Sequence, residues 1–150
     1  MIKTMNEDDL VYLFAAHEKS ITDIKKLDSR LDELAPFEIA KLEYLYSQAE
    51  RHAWRIAGHF KKLYKYHEGM AEIAQGQEYK AVRGDGKKNS TDGQYLSRIA
   101  KGEQLTQAAE YEGDFLTWKG VAGTYERAAN SLKDMLKAIT AEGGNQSRTA

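Results

Sequence analysis

From Leu42 to Ala74 the positions Leu42, Leu45, Ala49, Ala53, Ile56, Phe60, Leu63, His67, Met70 and Ala74 follow one another at intervals of three or four, nearly all of them apolar. A helix completes a turn every 3.6 residues, so this spacing lays a single stripe along one face of an unusually long helix. Such length belongs to coiled coils and helical bundles rather than to ordinary globular helices. The one proline, Pro36, stands just before the pattern, where a first helical turn tolerates a missing N–H. Gly58, Gly69 and Gly76 each lower helix propensity by about 1 kcal/mol and leave room for a kink or a break.

The flanking segments carry the same period. Leu10, Leu13, His17, Ile24, Leu27, Leu31 and Leu34 place a seam on a first helix, and Asn6 before Glu7, Asp8 and Asp9 predicts its N-cap, with acids facing the positive dipole end. The run from Arg83 to Gly93 predicts a polar loop, followed by a short helix near Tyr95 to Ala100. A last long helix carries Leu105, Ala108, Phe115, Ala122, Tyr125, Ala129, Leu132, Leu136 and Ile139, its seam interrupted by Glu112 and Lys119. Gly143-Gly144 is expected to stop it, leaving residues 143–150 as a flexible tail. No repeat appears, and strand patterning is close to nil. The expectation is an all-α chain forming one helical domain over residues 1–142. Nine Tyr, two Trp and four Phe, several lying off the seams, offer more apolar surface than one short chain covers. An elongated bundle assembling into a homo-oligomer follows as the expected architecture.

Several function classes are set aside at this level. The absence of cysteine removes disulfide scaffolds and thiolate chemistry, and suits a reducing cytosol. Acids stand where a secretion signal would be basic and then apolar. No stretch approaches eighteen apolar residues, so no membrane span is expected. His52, His59 and His67 are spaced by seven and eight, not by the three or four that let one helix hold a metal. His17 and His67 fall on apolar seams and are expected to be packed. No serine sits in a nucleophile elbow, and the carboxylates at residues 7–9 read as helix-cap charges, so neither enzymatic activity nor a cofactor is expected. The glycine loop is no Walker loop, which requires a longer glycine frame leading out of a strand. As an EF-hand beginning at Asp85 it lacks the closing glutamate, since Leu96 stands there.

The net charge of -1 argues against a polyanion partner until it is divided along the chain. Residues 1–50 hold six basic and eleven acidic side chains, residues 51–101 eleven basic and five acidic, and residues 102–150 five basic and seven acidic. Within the positive third, residues 51–67 contain no acid at all. On a helical projection Arg51, Arg55, Lys62 and Lys65 lie within about 40° of one direction. Gly58 shares that stripe, Lys61 lies beside it, and Trp54 and Tyr66 flank it about 60° to either side. Cations for phosphates and flat rings for bases are what single-stranded nucleic acid requires. The competing reading is a solvated polar face whose aromatics pack in an oligomer interface. Lys80, Arg83, Lys87 and Lys88, in and before the loop, extend the candidate nucleic-acid contacts.

A further set of residues carries a likeness. Tyr79 and Lys80 lead into Arg83-Gly84-Asp85-Gly86. Asp92 with Tyr95 and then Leu105 follow, and Phe115-Leu-Thr-Trp-Lys-Gly120 with Ala128, Leu132, Lys133, Ala138 and Ile139 complete the order. Over roughly residues 40–140 the chain resembles the recombination mediator proteins of T-even-type bacteriophages, the UvsY family. One departure is that Gln75-Gly76-Gln77 stands where the family tends to have a Lys/Arg-rich turn, so any shared charge would come from Arg51 to Lys65 and from Lys87-Lys88. The resemblance implies a protein of the host bacterial cytoplasm that binds single-stranded DNA and assembles into ring-like homo-oligomers. It also implies loading of a phage RecA-like recombinase onto DNA coated by a phage single-strand binding protein. A phage structural or scaffolding helical protein is the alternative.

Overall fold

The structure is a computed structural model that describes residues 6–84 and 90–149, with side chains described as far as residue 144. It is all-helical: three long helices and one short turn of 3₁₀ helix, with no strand among the described residues.

Helix α1 spans Glu7–Asp28. The Asn6 side chain accepts a hydrogen bond of 2.7 Å from the Asp9 backbone N–H, satisfying one of the donors a helix start leaves free. Glu7, Asp8 and Asp9 fill the first turn and Lys25 and Lys26 the last, each sign against the dipole end that favours it. Leu13, His17, Ser20 and Ile24 form its buried face. The seam expected to continue to Leu34 leaves the helix at Asp28. Leu31 then lies in a 3₁₀ turn (Leu31–Glu33) and Leu34 is extended, yet both pack into the same core.

Helix α2 spans Pro36–Gly84 without interruption. Pro36 takes its first position, as expected. Ala35 donates its backbone N–H to Glu38 Oε1 at 3.3 Å, half of a capping box, while Glu38 Oε2 meets Arg30 Nη2 at 3.4 Å. Gly58, Gly69 and Gly76 neither break the helix nor admit a neighbour, since a Cβ at each would meet nothing within 4 Å.

Helix α3 spans Ser90–Thr149 and corrects the expected layout. Residues 90–93 belong to the helix rather than to the loop, and the short helix near Tyr95 is continuous with the last one. Gly93 is buried against α2, and a Cβ there would come within 3.3 Å of Tyr79 Cε2 and 3.4 Å of Arg83 Cδ. Close packing on α2 offsets the propensity lost at that glycine. Gly143-Gly144 does not end the helix either. Glycine weakens helix but keeps its N–H, so the hydrogen-bond ladder can run through it, as it cannot through proline. Gly113 and Gly120 face open space, and a Cβ at Gly123 would meet only Arg127 of its own helix.

The chain packs as two compact units, one of residues up to Ile56 with those from Trp118 onward, the other of Ala57–Thr117. In the first, Ile24, Leu34, Ile39, Leu42, Leu45, Ala49 and Leu132 form the core, bordered by Ile21, Leu27, Leu31, Tyr46, Tyr125 and Leu136. His17, 6 % exposed, bonds through Nε2 to Tyr125 OH at 2.7 Å and meets Trp118 edge-on with ring centroids 5.1 Å apart. In the second, Ala57, Tyr64, Ala71, Val82, Ser97 and Ala108 are buried. Tyr111 stacks against both Phe60 and His67, and Phe115 tilts against Tyr64. The aromatic seam of α3 is thus packing, as its spacing predicts, and so are His17 and His67. Leu105 and Ile139, assigned to the same seam, are exposed.

Candidate nucleic-acid interface

Helix α2 presents the candidate cations, and each unit holds part of them. In the first unit Arg51, Trp54 and Arg55 are exposed. Gln48, Arg51, His52 and Arg55, at spacings of three, four and seven, line a cavity of about 250 Å³. No carboxylate is among its lining residues, and neither arginine forms an ion pair among the described residues. His52 is half-buried beside them, its Nδ1 buried and without a hydrogen-bond partner among the described residues. Burial, then the charges of Arg55 and Arg51, hold its pKa below the usual histidine value.

In the second unit Lys61, Lys62, Lys65 and Tyr66 are exposed. They are not equivalent. Lys65 Nζ bonds Glu68 Oε2 at 3.1 Å and lies 5.1 Å from the Tyr64 ring centroid; the Glu68 hydrogen bond raises its pKa. Lys61 Nζ sits 5.7 Å over the Phe115 ring, a cation–π contact. Lys62 has neither kind of partner among the described residues; burial, and then the Lys62 charge, lower the pKa of His59. Lys80 and Arg83 are exposed near the end of α2. Lys87 and Lys88 lie outside the described residues.

The aromatic residues of this stretch divide sharply. Tyr64 is 8 % exposed, and Phe60 and His67 pack on α3, whereas Trp54 is 42 % and Tyr66 59 % exposed. The two rings assigned to flank the stripe are therefore open to solvent and the others are packed. Sequence reasoning missed Gln48 and His52 as neighbours of the arginines. The signal was present, since both fall on the Arg51–Arg55 side of the same helical projection.

A second cavity, of about 390 Å³, is lined by Asp23, Lys26, Leu27, Arg30, Lys41 and Leu45. Here two of the three cations are met: Lys26 pairs with Asp23 at 3.9 Å and Arg30 with Glu38 at 3.4 Å. No helix among the described residues is long and apolar enough to cross a membrane. No family model, curated protein or solved structure matches the chain.

Proposed function

We propose that the chain is a non-enzymatic single-stranded DNA-binding protein acting as a recombination mediator. In this reading it loads a RecA-like phage recombinase onto DNA coated by single-strand binding protein. The observation that carries the DNA-binding part is the coincidence of unpaired cations and open rings. Arg51, Arg55 and Lys62 lack ion-pair partners among the described residues, and Trp54 and Tyr66 are exposed beside them. Unpaired cations release counterions when they meet phosphates, and exposed rings accept bases of any sequence. The recombinase and its location in a phage-infected bacterial cytoplasm rest on the family resemblance.

Assembly into a ring-like homo-oligomer from an elongated bundle belongs to the same proposal. Val11, Tyr12, Phe37 and Tyr95 are each exposed by two thirds or more, which supports burial against further copies. Repetition around a ring would multiply weak single contacts by avidity. The same exposed side chains also suit the scaffolding alternative, so binding must discriminate.

Fluorescence anisotropy of labelled single-stranded DNA over a salt series makes that test. Affinity should fall steeply with log salt, and Arg55→Ala with Lys62→Ala should reduce the slope by about 1.4, at roughly 0.7 per phosphate contact. The oligomeric mass by light scattering should not change. A flat or absent salt response would overturn the DNA reading and favour the scaffold, and unchanged affinity in the double variant would reduce the stripe to a solvated face.

A further inference from the structure

The two cavities of the first unit contain similar numbers of basic side chains and differ in what neutralises them. In the Asp23–Lys26–Arg30–Lys41 cavity, acids within reach already answer two of the three cations. In the Gln48–Arg51–His52–Arg55 cavity no acid is present and neither guanidinium is paired among the described residues. Arg51 and Arg55 stand one helical turn apart, so both planar forks can reach one point above the helix surface. Gln48, whose Nε2 donates one hydrogen bond to Tyr44 OH at 2.9 Å, keeps a second amide hydrogen at the preceding turn. His52 also lines the cavity, while its buried Nδ1 has no hydrogen-bond partner among the described residues.

We infer that Gln48, Arg51, His52 and Arg55 form a discrete oxyanion site that takes a single phosphate group. The inference rests on the nucleic-acid reading for the source of that phosphate, a diester of the DNA backbone, while the same chemistry would accept a free phosphate ion. Tetrahedral oxyanions match the fork geometry of arginine, and the volume of about 250 Å³ leaves room for a phosphate and water. The site makes phosphate capture at α2 local and directional rather than a diffuse attraction spread over every lysine of the stripe.

A linked proton follows from the surroundings of His52. It is flanked by Arg51 and Arg55 on its own helix and faces His17 of α1, which is itself beside Glu18 and Tyr125. With the cavity empty, two cations disfavour a third charge at His52. A phosphate between them reverses the local field at His52, so binding should tighten as pH falls toward the histidine range.

The test uses the full chain and two probes, dimethyl phosphate for the diester and inorganic phosphate for the free ion, followed by NMR of arginine Nε–H and histidine ring resonances. Expected is that a probe moves Arg51, Arg55 and His52 together, leaves Arg30 in place, and raises the pKa of His52. Arg55→Gln should weaken the response about tenfold, one charge-assisted hydrogen bond, with Arg51→Lys falling short of wild type despite its charge. Helix content by circular dichroism serves as the folding control, and Arg30→Gln as the control for lost charge. Resonances unmoved by either probe, or moved equally by chloride, overturn the site, as does an Arg55→Gln response no weaker than that of Arg30→Gln. The two readings separate on DNA. Single-stranded DNA binding insensitive to Arg51→Gln and Arg55→Gln but lost with Lys62→Ala removes the site and keeps the DNA reading. A phosphate response without any DNA binding keeps the site, for a free phosphate, and removes the DNA reading.

Discussion

The two units draw on the same two long helices and solve burial differently. The first combines α1 with the beginning of α2 and the end of α3, and three helical segments enclose large aliphatic side chains completely: Leu13, Leu42 and Ile56 are its largest fully buried residues. The second has only Ala57–Gly84 of α2 and Ser90–Thr117 of α3 among the described residues. Two helices have a line of contact but no interior, so small residues (Ala57, Ala71, Ala108) sit on the line and flat rings close over its edges. Polar contacts join them: His67 Nδ1 with Gln104 Oε1 at 2.8 Å and Lys101 with Glu72 at 2.8 Å. The lesson is that both units pack rings, but the same heptad-like patterning encloses large aliphatic side chains fully only where a third helix is present.

The sharpest way to break this contrast is to truncate one residue of each kind. Leu42→Ala should destabilise the chain by about 2 to 5 kcal/mol, because a fully buried leucine leaves a cavity the surrounding helices cannot close. Tyr111→Ala should cost about 1 to 2 kcal/mol, since its half-buried ring loses two stacking partners while solvent already reaches the site. Urea denaturation followed by circular dichroism measures both. Equal losses would mean that the second unit has a core of the same kind as the first.

A smaller effect tests the line of contact in the second unit. Gly76→Ala enters open space and should stabilise by up to about 1 kcal/mol through helix propensity. Gly93→Ala should gain less or lose stability, because its Cβ would press against the Tyr79 ring at 3.3 Å. Thermal melts of the two variants should therefore move apart; a common upward shift would show that Gly93 is not required for close approach.

The smallest expected effect is acid sensitivity, centred on the first unit. Burial, opposed by Glu18 and reinforced by His52, holds the His17 pKa below its ordinary value, so the folded chain resists a proton that the unfolded chain accepts. Stability is therefore full above about pH 6.5 and declines as pH falls through that value, levelling once pH passes the lowered folded pKa. His52 acts in the same direction in this unit, and His59 in the other. Urea midpoints at neutral and mildly acidic pH, compared with those of His17→Gln, check it: the variant should show the shallower acid decline.

Much of this fold was legible because it depends on local chemistry. The Asn6 cap, the place of Pro36, the seam from Leu42 to Ala53 and the burial of His17 all follow from spacing and propensity. The basic, acid-free run of α2 and the place of Trp54 and Tyr66 beside it were legible for the same reason. Where expectation and structure part, a nonlocal contact or a permissive residue is responsible. Residues 90–93 read as loop until Tyr79 and Arg83 of α2 are seen against Gly93. Gly143-Gly144 reads as a stop, yet nothing in a glycine forbids the next hydrogen bond.

By itself, then, the sequence determined that the chain is helical, where its apolar faces run, and that residues 51–67 carry basic side chains without an acid. Periodicity and charge order act over one or two turns, and no distant partner is needed to express them. Only the tertiary structure decided which rings are packed and which are open, so that Tyr64 lies under Phe115 while Tyr66, two residues on, faces solvent. It also decided which cations remain unpaired. Both depend on which side chains another helix brings within a few ångströms, and a linear pattern does not contain that distance.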